Sequence, residues 1–154
     1  MDVRSYISGY FDGEGCFTVS LSPRQKLRTG WEVRPSVSVS QNHDRSEVID
    51  IIASHFRCGS IRRDPSDHTV KWETRSLDSI VRNVLPHFES YPLLSGKQRD
   101  VEGLRLICQW MLEGRHLDRH GLEQILDVLT RMNPSGQRRY PIETVRRSID
   151  KVKA

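Results

Sequence analysis

The hydrophobic and polar residues of this chain alternate with a helical period in some segments and with a period of two in others. In residues 5–13, small or polar side chains recur every three to four positions, which predicts a helix. From Cys16 the period becomes two, because Phe17, Val19 and Leu21 alternate with polar residues, as in a half-buried strand. The same alternation predicts strands at 16–22, at 31–40, around Ile61 and at 69–75. Helical periods occupy 44–56, 76–88, 97–112, 117–132 and 141–152.

Individual residues refine this pattern. Pro35 lies inside the longest alternation and lacks a backbone N–H, which predicts an edge strand or a bulge at that point. Pro86 predicts that the helix at 76–88 stops near it. In the helix at 44–56, the stripe predicted to face the core is Val48, Ile51, Ile52 and Phe56.

The order of these elements predicts an α+β fold around one antiparallel sheet. The core order is α-β-β-α-β-β-α, followed by further helices. A chain of 154 residues can bury one substantial core. We therefore expect residues 1–154 to form a single domain, with a helical C-terminal part from about 97 to 154.

The opening helix has an unusual face of small residues. Glycine inside a helix costs roughly 1 kcal/mol relative to alanine, so close packing against another helix would have to compensate. No second copy of this segment occurs in the chain, so only a symmetry mate could supply that helix. The sequence thus predicts a homodimer whose interface includes the small-faced residues Ser5, Ser8, Gly9, Asp12 and Gly13.

Composition narrows the class of protein. With 36% hydrophobic and 29% charged residues, the chain is neither disordered nor membrane-spanning, and its start lacks a signal peptide. We therefore expect an intracellular location, either in an organelle such as a chloroplast or mitochondrion, or in a bacterial cytoplasm. The three cysteines are odd in number and far apart, which indicates reduced thiols. A net charge of +4 is compatible with a polyanionic partner without requiring one.

The nonapeptide ISGYFDGEG, residues 7–15, resembles the LAGLIDADG motif of homing endonucleases. The resemblance lies in the pattern of small, large and acidic positions, and it extends to the order of elements over about two-thirds of the chain. It is strongest to the single-motif members that act as homodimers. It implies a site-specific DNA endonuclease with a saddle-shaped sheet. Such an enzyme binds a long pseudo-palindromic duplex and makes a double-strand cut that leaves short 3′ overhangs.

The same resemblance implies four catalytic residues: Glu14, Gln41, Arg45 and Lys97. Glu14 ends a helix, where the macrodipole disfavours negative charge, and a symmetry mate would bring a second Glu14 nearby. A divalent cation would relieve both problems, so Mg²⁺, with Mn²⁺ able to substitute, is the expected cofactor, held by Glu14 and the Gly13 carbonyl. Gln41 and Arg45 would position water, and Lys97 would neutralise phosphate charge. For Asp12, a structural role and metal ligation both stay open.

The outward rows of the predicted strands offer donors and acceptors to base edges in the major groove. Basic residues near the C-terminus would hold phosphates. The DNA-binding residues predicted in this way are Ser20, Ser22, Arg24, Lys26, Glu32, Arg34, Ser36, Ser38, Ser40, Arg62, Asp64, Thr69, Lys71, Glu73, Arg138 and Arg139. Family relatives include RNA maturases that assist intron splicing and DNA-binding regulators that do not cut. Double-stranded DNA and a second copy of the chain are thus the expected partners, with RNA a partner only of a maturase.

Overall fold

The computed structural model describes residues 1–151 and confirms the predicted α+β fold. Val152, where the last helix was expected to end, lies outside the described residues. Short 3₁₀ turns at His43–Arg45 and Arg115–Leu117 and a π-helical turn at Ile80–Val84 complete the regular structure. The helices and strands are α1 Val3–Glu14, β1 Gly15–Pro23, β2 Trp31–Asn42, α2 Glu47–Phe56, β3 Ser60–Asp64, β4 Thr69–Thr74, α3 Leu77–Ser79, α4 Leu85–Ser90, α5 Gln98–Leu112, α6 Arg119–Leu129 and α7 Ile142–Lys151.

The four strands form one antiparallel sheet in the order β1-β2-β4-β3. β2 pairs with β1 from Trp31 to Val39 without an inserted residue, so there is no bulge at Pro35. β4 covers the other side of β2 only from Val37 onward. The first half of β2 is therefore a local edge, which explains why proline is tolerated there.

The core lies under one face of the sheet and is centred on an aromatic cluster. Phe11 of α1 lies within 5.2–6.2 Å of the rings of Phe17, Phe56, Trp72 and Phe88, measured between ring centroids. These rings come from α1, β1, α2, β4 and α4, so a single residue of the opening helix connects most of the layers. Such aromatic contacts add about 0.5–1.5 kcal/mol each beyond their buried area.

Two details of the predicted helices were wrong. Ile51 is 46% exposed and Ile49 is fully buried, so the inward stripe of α2 contains Ile49 in place of Ile51. The helix at 76–88 also does not stop at Pro86: a π-helical turn precedes it and α4 continues to Ser90. Residues 77–90 are helical without a break, so Pro86 lies inside this helix, directly after the π-helical turn in which the Leu85 N–H bonds to the Ile80 carbonyl.

The C-terminal helices extend the core beneath β1. α5 packs against β1, and α6 and α7 pack together behind it. Trp31 at the start of β2 donates from its indole N–H to Ser148 of α7 at 3.1 Å, which fixes α7 beside the sheet. No helix among residues 1–151 combines the length and the hydropathy that crossing a bilayer requires.

Candidate functional site

Glu14 occupies the C-terminal end of α1, where the helix turns directly into β1. The turn depends on Gly15, because a Cβ at that position would lie 2.4 Å from the Phe11 ring and 2.8 Å from the Phe11 carbonyl. The Glu14 side chain is exposed, and within residues 1–151 no side chain or backbone group bonds to its carboxylate. An acid is thus held at the negative pole of a helix without an intramolecular partner.

Lys97 approaches the same end of α1 from the loop before α5. Its Nζ donates to the Gly15 carbonyl at 2.9 Å and to the Phe11 carbonyl at 3.2 Å. The last carbonyls of a helix lack intrahelical donors, so a cation there is favourable. The structure therefore places the ammonium group of Lys97 at the end of α1 that carries Glu14.

Asp12 holds the loop that carries Lys97. Its carboxylate accepts from the backbone N–H groups of Leu94 and Ser95, both at 3.1 Å, and from the Ser95 hydroxyl. The Ser95 hydroxyl in turn accepts from the Lys97 backbone N–H at 3.2 Å. The hydrogen bond from the Ser95 hydroxyl, with those from the backbone, holds the pKa of Asp12 below its usual range. Of the two roles left open for Asp12, the contacts within the chain favour the structural one.

Gln41 joins the site through Tyr10, one helical turn before Glu14. Its Nε2 donates to the Tyr10 hydroxyl at 2.8 Å, and its Oε1 accepts from the Asn42 backbone N–H at 2.8 Å. The Tyr10 hydroxyl donates to the Ser40 carbonyl at 3.3 Å, and burial raises the pKa of Tyr10. Sequence reasoning missed Tyr10, although its position at i−4 from Glu14 was a usable signal.

Arg45 is not brought into contact with this group. It lies in the 3₁₀ turn after β2, is exposed, and pairs with Asp44 at 3.3 Å. Within the described part of the chain, no hydrogen bond or ion pair links Arg45 to Glu14, Gln41 or Lys97. The contacts therefore connect three of the four predicted catalytic residues through the C-terminal half of α1.

One chain alone offers few ligands to a metal ion. Within residues 1–151 there is no group of three or more histidine, cysteine, aspartate or glutamate side chains that could hold one. The oxygen donors at the end of α1 are the Glu14 carboxylate and the terminal helix carbonyls, including that of Gly13. This donor set is of the type that Mg²⁺ prefers, but it needs a second carboxylate or a substrate oxygen to be complete.

The outer face of the sheet is a continuous polar surface, as the alternation predicted. Inward residues of β1 and β2, such as Phe17 and Val37, are fully buried, whereas the residues between them lie on the outer face. Ser38 is only 9% exposed on that face, which argues against the base contact predicted for it. The register sets the outward residues in rows across the strands: Ser22 with Glu32, Ser20 with Arg34, Thr18 with Ser36, Cys16 with Ser38, Glu73 and Ser60, Ser40 with Lys71 and Arg62, and Asn42 with Thr69 and Asp64.

The structure gives Arg138 a different role from the predicted phosphate contact. Its NH1 donates to the Val19 carbonyl at 2.8 Å and its NH2 to the Leu129 carbonyl at 3.3 Å. Burial lowers the pKa of this guanidinium. Asn133 similarly donates to the Phe17 carbonyl at 3.0 Å, so the two side chains cover the free edge of β1. Arg139 is exposed over the Tyr140 ring and stays available to a phosphate.

The predicted dimer face also needs a correction at Ser8. Ser8 is 6% exposed, and its hydroxyl donates to the Tyr91 carbonyl at 2.5 Å and lies 3.0 Å from His87 Nε2. It therefore faces the core of its own chain and cannot contact a second copy. Ser5 and Asp12 are likewise bonded within the chain, Ser5 to Asp2. Gly9 and Gly13 have open space where a Cβ would stand, which fits the predicted close approach.

Ser8 belongs to a buried polar network that sequence reasoning missed. His87 Nδ1 lies 2.9 Å from His55 Nε2, so α1, α4 and α2 are joined through one imidazole. Burial, reinforced by the nearby His55, lowers the pKa of His87 to about 4. Because the Ser8 hydroxyl donates to the Tyr91 carbonyl, its oxygen must accept from a protonated Nε2 of neutral His87.

Comparison with known proteins matches this arrangement to one family. A family model described as LAGLIDADG endonuclease matches residues 7–108, which include α1 from Ile7 onward, the whole sheet and most of α5. The chain is 28% identical over 130 residues to a protein of Neurospora crassa named probable intron-encoded endonuclease 2. That alignment covers 84% of this chain but only 29% of the relative's length.

Two solved structures show the same fold. The crystal structure of the homing endonuclease I-TnaI matches with a TM-score of 0.82 at 28% identity and covers 97% of both chains. The I-LtrWI LAGLIDADG homing endonuclease bound to target DNA also matches with a TM-score of 0.82, at 29% identity. That match covers 85% of this chain and 44% of the other.

Proposed function

The chain belongs to the LAGLIDADG endonuclease family, and on this premise we propose that it is a metal-dependent, site-specific DNA endonuclease. The observation that carries the proposal is the junction between α1 and β1. There a carboxylate with no partner among residues 1–151, an ammonium group and a positioned amide are connected through the C-terminal half of one helix. This group adjoins β1 and β2, whose polar outer face offers donors and acceptors to base edges.

Glu14 and the Gly13 carbonyl are the residues that would hold Mg²⁺, or Mn²⁺ in its place, together with phosphate oxygens of the DNA. When bound, the divalent cation supplies a nucleophilic water and stabilises charge on the leaving 3′ oxygen. The exposed carboxylate of Glu14 fits this task because nothing in the described chain competes for it. The Gly15 carbonyl does not fit, since Lys97 already donates to it.

Lys97 and Gln41 act on the phosphate and on water. Lys97 presents a positive charge at the end of α1, where it stabilises negative charge that develops on a cleaved phosphodiester. Gln41 is oriented by Tyr10 and by its own neighbouring backbone, so its amide is fixed before substrate binds. Arg45 would have to leave Asp44 to contribute, and we propose that DNA phosphates draw it away from that exposed pair.

We propose further that the active unit is a homodimer whose two-fold axis runs beside α1. Gly9 and Gly13 lie on the exposed side of this helix with open space above them, beside Tyr6, which is 44% exposed. Close approach of two such helices would bring two Glu14 carboxylates together and complete the metal-binding donor set. Paired sites would cut both strands of a roughly palindromic duplex and leave short 3′ overhangs.

Cleavage of a randomised, palindrome-biased duplex library in Mg²⁺ tests the proposal, with Ca²⁺ as the binding-only condition. The Glu14→Gln variant should bind the sequences that the wild-type protein selects and fail to cut them. Glu89→Gln is the matched control, because Glu89 is also exposed in the last turn of a helix, α4, and should cut normally.

A wild-type protein that binds one duplex sequence in either metal and never cuts would refute the nuclease proposal. The result would then indicate a DNA-binding regulator. If it selects no duplex, the same experiment repeated on structured RNA would test for a maturase.

A further inference from the structure

One carboxylate on the polar face of the sheet holds the cations on either side of it. Glu73 lies in β4, which is hydrogen-bonded between β2 and β3. Its Oε2 lies 3.2 Å from Lys71 Nζ, and its Oε1 lies 3.1 Å from Arg75 Nε. The Ser36 hydroxyl on β2 also donates to Oε2 at 3.4 Å. Donors from β2, from β4 and from Arg75, the residue after β4, thus converge on a single side chain.

The residues opposite Glu73 on the adjacent strands have short side chains, so the Glu73 side chain can pack flat against the sheet. Ser38 stands opposite it on β2 and Ser60 on β3. The Glu73 side chain is only 22% exposed, against 59% for Arg75. Its burial acts to raise its pKa, but the hydrogen bond and charge of Lys71, with the charge of Arg75, outweigh that effect and lower it. Glu73 therefore stays ionised and paired.

The pairing decides which of these residues can contact a base. A carboxylate has about four lone-pair positions, and three donors already use most of those on Glu73. Glu73 is thus a poor acceptor for a cytosine amino group, in contrast to the base contact predicted from sequence. Arg75 donates only its Nε–H to Glu73, and no other group in the described part of the chain bonds to its two terminal nitrogens. These two nitrogens are the pair that can donate to guanine O6 and N7. Lys71 keeps the other protons of its ammonium group.

We propose that Glu73 is a positioning residue that determines specificity, because it orients Lys71 and Arg75 to read two guanines. This inference rests on the proposed function, in which the polar face of the sheet lies against DNA. Lys71 and Arg75 are four residues apart on an extended segment, about 13 Å between Cα atoms. That distance corresponds to about four base steps, so both guanines lie within one short stretch of a half-site.

The proposal predicts opposite effects on affinity and on specificity. Removing the negative charge of Glu73 releases two cations next to the phosphate backbone, so binding to any duplex should become equal or tighter. The plot of log K against log salt should steepen by about 0.9 for each additional phosphate contacted. The orientation of Lys71 and Arg75 is lost at the same time, so preference for guanine should fall at least about fivefold at both positions.

The experiment sequences duplexes selected from a randomised library by the full chain in Ca²⁺, for wild type, Glu73→Gln and a matched control. The control is Glu123→Gln on α6, outside the polar face of the sheet, whose carboxylate forms an ion pair with Arg119 at 3.2 Å. Wild type and Glu123→Gln should share two guanine preferences that Glu73→Gln loses. Lys71→Met and Arg75→Met should each remove one of the two preferences.

Retention of both guanine preferences by Glu73→Gln would overturn the inference. Equal weakening of all duplexes by Glu73→Gln would also overturn it, because Glu73 would then act on affinity. If the wild-type protein shows no sequence preference, the proposed function itself fails. A wild-type protein that cuts a defined site while Glu73→Gln keeps its preferences would refute only the role of Glu73.

Discussion

Replacing Asp12 tests how the loop before α5 is held against the opening helix. The Asp12 carboxylate accepts three hydrogen bonds from Leu94 and Ser95, on a partly exposed surface. A hydrogen bond of this kind contributes about 0.5–1 kcal/mol net, so Asp12→Ala should lower the free energy of unfolding by about 2 kcal/mol. For a chain of this size that corresponds to a fall in Tm of about 4–8 °C. Asp12→Asn keeps part of the set and should cost about 1 kcal/mol.

The pH dependence of the same variant gives an independent check. The pKa of Asp12 is lowered in the folded protein, chiefly by the Ser95 hydroxyl, from an ordinary value of 3.8. A depressed carboxyl pKa stabilises the fold above the unfolded value, and this stabilisation is lost as the pH falls through the folded pKa. The stability gap between wild type and Asp12→Asn should therefore be full at pH 7 and shrink below about pH 4.

Urea unfolding at pH 7 and pH 3.5 measures this gap, with Asp78→Asn as the control. Asp78 forms one exposed i,i+4 pair with Arg82, so its loss should cost less than about 0.5 kcal/mol. Equal stability of the two variants at pH 7, or a gap for Asp12→Asn that persists undiminished at pH 3.5, would refute the reasoning. Because Ser95 also bonds the Lys97 backbone, Asp12→Asn should slow cleavage even where it is fully folded.

Three further changes test other parts of the structure. The pKa of His87 is lowered to about 4 in the folded protein, so below about pH 6.5 the unfolded chain binds a proton that the folded chain does not. Up to about 3 kcal/mol of stability should therefore be lost between pH 6.5 and pH 4. The stability of His87→Gln should depend less steeply on pH, and an unchanged pH dependence would contradict this reasoning. Arg138→Gln should lose about 1–2 kcal/mol of stability without altering the salt dependence of DNA binding, whereas a salt slope reduced by about one would place Arg138 at a phosphate after all. Gly9→Leu meets open space within one chain, so its monomer should be as stable as wild type or more so, while sedimentation should show loss of the dimer; a dimer that persists would reject the proposed interface.

The strands could be predicted because one face of the sheet is dry and the other is polar. Phe17, Val19 and Leu21 alternate with polar residues for this reason, so the sequence itself shows the period of two. The end of α1 was also predictable, since Gly15 is needed where no Cβ fits. Glu14 and Lys97 could be assigned to one site only through the family resemblance, because 82 residues separate Lys97 from the Gly15 carbonyl that it contacts.

The errors arose where a side chain could face either the protein interior or solvent. Ser8 looks like part of a small exposed face until His87 appears as its partner, 79 residues later in the chain. Ile49 and Ile51 are chemically alike, and only the packing of α2 on the sheet decides which one is buried. Arg138 was predicted to be free to bind a phosphate, because the neighbouring sequence does not indicate that its guanidinium donates to two backbone carbonyls. In each case a long-range contact overrode a local pattern.

In the proposed function, the separation of the two sheet faces also determines how this chain can acquire a new DNA target. An inward residue such as Val37 supports the core, so changing it risks about 1 kcal/mol or more, whereas an outward residue such as Ser20 should cost less than about 0.5 kcal/mol. Preference for a base pair can therefore be altered one position at a time without renewed selection for folding. The exception is the segment 71–75, where Lys71 and Arg75 both pair with Glu73. Mutagenesis to change the target should accordingly begin on β1 and on the first half of β2, and should exchange Lys71, Glu73 and Arg75 together.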